Sequence, residues 1–185
     1  MLILASNSPR RKKLLEDAGI SFKVVSRDTD ETVNEKMKPE DYVIHLATKK
    51  AKEVFDDNPS DVVIAADTVV VYNGDILGKP ILEDKAFEML KAISGERHEV
   101  YTGVCIMSKE KITTFCSVSE VWMKEYSEIQ IWEYIKTGEP LDKAGAYAIQ
   151  GLGEQLVDHF SGDFFTIVGL PLKQLLLELK SFETV

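Results

Sequence analysis

The stretch "DVVIAADTVVVYNGDIL", residues 61 to 77, constrains the fold more than any other part of the chain. Its first half is an almost unbroken apolar run rich in β-branched residues. Such a run marks a strand covered on both faces, as in a sheet held between layers of helices. Asn73-Gly74 follows, the strongest short signal for a two-residue hairpin, so the chain is expected to turn back there into a return strand. One residue does not belong in such a strand. Asp67 would carry a large desolvation cost if it were isolated, so something must compensate it. Backbone hydrogen bonds to a structural carboxylate are one possibility. The other is a carboxylate that holds a divalent cation or takes a proton from a water nucleophile.

The rest of the chain alternates strands and helices. Strands are expected over residues 2 to 5, in "SFKVVSR" (21 to 27), "HEVYTGVCIM" (98 to 107) and "ITTFCSVSEVWMK" (112 to 124). Helices are expected over 9 to 18, in "KPEDYVIHLATKKAKEVFDD", in "ILEDKAFEMLKAIS", from Ser127 to Gly138 and from about Leu172 to Leu179. Residues 28 to 35 read as an acidic loop and 145 to 162 as a loop region punctuated by glycines. With 185 residues, 44% of them apolar, the chain suffices for one domain, 1 to 185, with room for two lobes. Its formal charge of −9 argues against a general nucleic-acid or anionic-membrane surface, so any anion site has to be a local concentration of cations. The start lacks the pattern of a secretory signal, and no stretch approaches bilayer-spanning length, so a cytoplasmic protein is expected. Cys105 and Cys116 lack the paired spacing of a zinc site and read as reduced core residues.

"SNSPRRKK", residues 6 to 13, is such a concentration. Ser8 is a good N-cap and Pro9 a good first helical residue, which puts Arg10 and Arg11 in the first turn. The macrodipole disfavours cations there. The placement makes sense if an anion binds at this end, since free N–H groups and guanidinium forks both suit phosphate; a solvated basic turn is the plain alternative. The stretch is not a Walker loop, because the glycines and the G-K-[ST] ending are absent. Lys79 in "LGKP" and Lys50 on the second helix are further cations, although Lys50 among Lys49 and Lys52 also reads as a solvated lysine.

The segments "LILASNSPRRKKLLEDAGI", "DETV", "AADTVVVYNGDILGKP", "SGERHEVYTGVCI", "DKAGAYAIQG" and "VGLP", collinear from residue 2 to 172, resemble the Maf family of nucleoside triphosphate pyrophosphatases. "DKAGAYAIQG" and Thr68 of "ADT" are similar to the branch acting on dTTP and UTP rather than the branch preferring 7-methyl-GTP. The resemblance implies a mixed α/β fold, a central sheet flanked by helices with two lobes around a deep cleft, related to that of the inosine triphosphate pyrophosphatases. It implies hydrolysis of a nucleoside triphosphate to the monophosphate and pyrophosphate with Mg²⁺ or Mn²⁺, with modified pyrimidine triphosphates as further substrates. A homodimer and a link to arrest of septum formation are also implied. By position, Asp67 resembles the proton acceptor, and Arg10, Thr68 and Gln150 the specificity residues; as a carboxylate Asp67 could act as base directly or by holding the metal. Ser6, Arg11, Glu31, Lys50 and Lys79 resemble the polar lining.

The residue types suit that chemistry. Attack on the α-phosphorus needs an oriented water, charge neutralisation and a held leaving group. Glu31 in "DTDETVNE" is a candidate metal or water ligand, and the Gln150 amide matches the O4 and N3–H edge of uracil or thymine. Gly145, Gly151 and Gly153 suit a loop whose backbone approaches a ligand. His45, His98 and His159 lack metal-ligand spacing, and residues 96 to 99 read as the polar entry to a strand, with Arg97 able to reach a cleft rim. Trp122, Trp132, Phe164 and Phe165 read as packing, with Phe164 or Phe165 near enough in sequence to the specificity loop for stacking to stay open. A phosphatase or kinase is disfavoured by the missing signatures. The competing reading is a non-catalytic nucleotide sensor or cell-division interaction protein.

Overall fold

The computed structural model describes residues 1 to 182. Its strands are hydrogen-bonded in the order β2 (Lys23–Val24), β1 (Leu2–Leu4), β3 (Val62–Tyr72), β5 (Arg97–Met107), β6 (Ile112–Met123) and β7 (Val157–Ser161), with β4 (Asp75–Leu77) paired to β3. The residues fall into two compact units built from non-contiguous stretches. The first holds Met1–Asp67, Thr102–Ser117 and the chain from Gly169 on, the second Thr68–Tyr101 and Val118–Val168.

In the first unit β1 runs parallel to both β2 and β3, with Ile3 opposite Lys23 and Val63. Val63, Ile64, Ala65 and Ala66 are all fully buried, as a strand covered on both faces requires. α2 (Pro39–Phe55) lays Ala47, Ala51 and Val54 into a core with Ile3, Val63, Ala65 and Cys105. The helix comes so close that a Cβ on Gly103 of β5 would lie 2.5 Å from the Val43 carbonyl carbon. α1 (Pro9–Asp17) begins as the sequence predicts, with the Ser8 hydroxyl accepting from the Arg11 backbone N–H at 3.4 Å and Pro9 at its start. α6 (Leu172–Leu179) has the expected bounds. The predicted second strand shrinks to Lys23–Val24, because only these residues pair with β1.

In the second unit Asn73 and Gly74 both take positive φ, 50° and 82°, and close the β3–β4 hairpin with Tyr72 opposite Asp75. α3 (Glu83–Ile93) packs on α4 (Glu128–Ile135) through stacked Phe87 and Trp132 rings 4.8 Å apart. α4 opens with a capping box between Ser127 and Gln130. α3 starts two residues later than its apolar pattern suggests, leaving Ile81 and Leu82 exposed and Ile81 at φ 64°. The expected loop from 145 to 162 contains β7, antiparallel to β6 with Trp122 opposite His159. Four of its five residues are exposed, so no alternating apolar pattern announces it. A short helix, α5 (Phe164–Val168), was also not expected. Among the described residues no helix is long and apolar enough to cross a membrane.

Candidate active site

In β3 successive side chains alternate between faces, so Asp67 shares the side of Val63 and Ala65, the side on which α2 packs. α2 carries Lys50 there. The Lys50 ammonium donates to Asp67 Oδ1 at 2.7 Å and sits 2.7 Å from Glu31 Oε1. Asp67 is only 7% exposed, and this pairing is what compensates its burial. The helical period separates Lys50 from its neighbours, since Lys49 reaches the Asp30 carbonyl and Lys52 pairs with Asp56 on the surface. The loop before α2 is fastened by the Thr29 hydroxyl bonded to Glu53 and by Thr32 N–H donating to Asp30 Oδ1 at 2.9 Å, which brings Glu31 into range.

The basic turn of α1 faces the same group. Arg11 Nε donates to the Gly169 carbonyl at 2.7 Å, and its Nη1 lies 3.3 Å from the Ser6 hydroxyl. Burial pushes the Arg11 pKa below its ordinary value, Asp67 and Glu31 oppose that, and Arg10 adds to it. Asp67, Glu31 and Arg10 all act on Arg11, so Arg11 and, through its hydrogen bond, Ser6 belong to the Asp67 cluster. Tyr42 belongs there too, which the sequence reading missed. Burial first, then Asp67 and Glu31, raises the pKa of its phenol. Its place eight residues before Lys50 on α2, about two helical turns, is the signal that could have found it.

Thr68, Lys79 and Gln150 lie in the second unit, Thr68 half-buried and the other two exposed. Gln150 stands just before a 3₁₀ turn, Gly151–Leu156. A carboxylate the sequence reading passed over organises this turn. Glu139 accepts from the Gly153 N–H at 2.9 Å and the Leu152 N–H at 3.2 Å, and is bonded to the Tyr134 hydroxyl. The three glycines are each held close against the protein's own atoms. A Cβ on Gly145 would lie 2.8 Å from Val70, on Gly151 2.5 Å from Glu139, and on Gly153 2.4 Å from the Ala148 carbonyl oxygen.

Other residues also differ from expectation. His98 is fully buried rather than part of a polar strand entry, and its Nε2 lies 2.6 Å from the Tyr147 hydroxyl. Burial lowers its pKa to about 4, so it is neutral. Arg97 is engaged on the sheet by Glu99 and Glu120, with its guanidinium 5.9 Å from the Trp122 ring centre. Both cysteines are free thiols. Cys105 is buried, Cys116 only half-buried, and burial pushes each up to about 11.

The donor set fits a hard divalent cation. No group of three or more His, Cys, Asp or Glu side chains able to hold a metal occurs among the described residues. Mg²⁺, however, typically uses one or two carboxylates and completes its shell with waters and substrate phosphates. Glu31 Oε1 and Asp67 Oδ1 converge on one cation, the Lys50 ammonium, and so are no farther apart than twice 2.7 Å.

The chain has relatives along its full length. The family profile described as "Maf-like protein" matches residues 1–182. A dTTP/UTP pyrophosphatase of Bacillus cereus (strain G9842) is 50% identical over 182 residues, 98% of this chain and 95% of its own length. One of Bacillus anthracis (strain CDC 684 / NRRL 3495) is 48% identical over 181 residues, with the same coverage. Among solved structures, the Ham1 protein of Staphylococcus aureus superposes with a TM-score of 0.55 at 12% identity, covering 99% of each chain. A HAM1 protein of Coxiella burnetii gives 0.50 at 15% identity, covering 97% of this chain and 98% of its own. At those identities the likeness speaks for the fold alone, a mixed α/β sheet flanked by helices. With a family match over nearly its whole length and relatives half identical to it, the chain belongs to the Maf family.

Proposed function

We propose that this chain hydrolyses nucleoside triphosphates, dTTP and UTP foremost, to the monophosphate and pyrophosphate. The observation that carries this reading is the buried Asp67 carboxylate, paired with Lys50 beside Glu31 and the Arg11 guanidinium. In a hydrolase of phosphoanhydrides such a group accepts the proton of the attacking water. Arg11 binds the phosphates at the N-terminus of α1, where free N–H groups and a guanidinium fork both suit an anion, and Arg10 of the same turn contributes to substrate specificity. Ser6 holds Arg11 in orientation. Lys79 adds charge to the leaving pyrophosphate, while Thr68 and Gln150 discriminate the base, the Gln150 amide pairing with the O4 and N3–H edge of a pyrimidine. Mg²⁺ or Mn²⁺, held by Glu31 and Asp67, supplies charge neutralisation on the phosphate oxygens. The active form on this reading is a cytoplasmic homodimer acting on nucleotide pools, with modified pyrimidine triphosphates as further substrates and a link to septum arrest.

Product analysis tests it. The protein with Mg²⁺ or Mn²⁺ is given dTTP, UTP, CTP, dATP and GTP, beside Asp67→Asn. Pyrophosphate with dTMP or UMP is expected, reduced by at least about a hundredfold in the variant, the low end of what a positioned base contributes. Nucleotide-dependent thermal stabilisation without turnover would identify a sensor instead.

A further inference from the structure

The Lys50 ammonium bridges the two carboxylates, 2.7 Å from an oxygen of each. These are the groups that hold the divalent cation on the reading above, and the inference rests on that reading. We propose that Lys50 is a resident counter-ion occupying the metal position, displaced when the divalent cation enters. The gap between Glu31 Oε1 and Asp67 Oδ1 cannot hold an ammonium and a dication together without setting like charges almost in contact, where repulsion is strongest. Leaving the gap empty is also unfavourable. Asp67 is buried, and without a cation two carboxylates would face each other. A lysine meets both conditions. Its four-carbon stem is flexible and its ammonium is a point charge with no required geometry, so it can pair with the carboxylates in the free protein and retract when a dication takes them. Lys50 is a positioning residue in the free protein and a barrier to premature metal binding.

The test is Mn²⁺ binding without nucleotide, followed by the electron paramagnetic resonance of free Mn²⁺, for the wild type, Lys50→Met and Lys50→Arg. Removing the competing charge is expected to tighten Mn²⁺ binding by at least about tenfold in Lys50→Met, while Lys50→Arg stays at or below wild-type affinity. Equal or weaker binding by Lys50→Met overturns the proposal, whatever the turnover. Should that variant fail to fold, acetic anhydride labelling of the wild type, read by peptide mass spectrometry, decides. Lys50 acetylation is expected to rise severalfold on saturation with Mg²⁺, and no rise overturns the proposal. Turnover of dTTP by the wild type is measured separately. Tighter Mn²⁺ binding by Lys50→Met in a protein that hydrolyses no triphosphate therefore rejects the enzymatic reading and leaves the placeholder standing.

Discussion

His98 shows how one buried side chain sets a pH response. The folded protein keeps its imidazole neutral down to about pH 4, whereas the unfolded chain takes up a proton near the ordinary value of 6.5. Its contribution is therefore complete above pH 6.5 and is lost as the pH falls, levelling off below about 4. Between pH 7 and pH 5 this amounts to about 2 kcal/mol. Urea unfolding should show the loss in the wild type, and His98→Gln, which cannot titrate, should lose that much less. An identical acid dependence in both would mean that His98 is protonated in the fold. At this scale the sequence was legible where a residue contradicts its surroundings. Asp67 stands out inside an apolar strand, and Arg10 and Arg11 stand out at the positive end of a helix dipole. Glu31, Tyr42 and Glu139 contradict nothing locally. A loop acid, a helix tyrosine and a half-buried glutamate gain their meaning only from partners 19, 25 and 14 residues away, respectively Lys50, Asp67 and Gly153.

At the scale of elements, the seat of α2 on β5 determines whether the charged cluster can form. Gly103 has no side chain, and a Cβ there would strike the Val43 carbonyl at 2.5 to 2.6 Å, backbone that cannot move without moving the helix. Lys50 rides on that helix. Gly103→Ala is expected to cost about 1–3 kcal/mol by overpacking and to lower turnover by at least about tenfold, because a shifted α2 moves Glu53 and with it the loop that carries Glu31. Thermal melting and steady-state kinetics check both, and wild-type values for the two would mean that the helix has room to spare. The elements most legible in sequence carry strong local signals. Pro39 and the 3.6 period announce α2, and Asn73-Gly74 announces the β3–β4 turn. β7 stayed hidden because an edge strand exposed on both faces has no buried side to write into its pattern. The glycines at 145, 151 and 153 are visible in the sequence, but which atoms each one faces is a tertiary fact.

For the molecule as a whole, each unit is assembled from separated stretches, and β3, β5 and β6 each pass from one unit to the other within a strand, at 67/68, 101/102 and 117/118. Neither unit is a continuous piece of chain that closes its own core. Unfolding is accordingly expected to be a single cooperative transition. Trp122 and Trp132 both lie in the second unit, so tryptophan fluorescence follows that unit alone while far-ultraviolet circular dichroism follows both. Coincident urea midpoints are expected, and an earlier fluorescence transition would show the second unit melting by itself. The same interleaving bears on how such a gene can change. The boundary is crossed four times along the chain, so exchanging one whole unit between two relatives takes four recombination points, three of them inside strands. Between Asp67 and Thr68 the boundary falls between adjacent codons. Inheritance by blocks is therefore nearly closed to this fold. A single crossover leaves at least one unit chimaeric, so a change confined to one unit is reached more directly by point substitution, with each intermediate still folding as one piece.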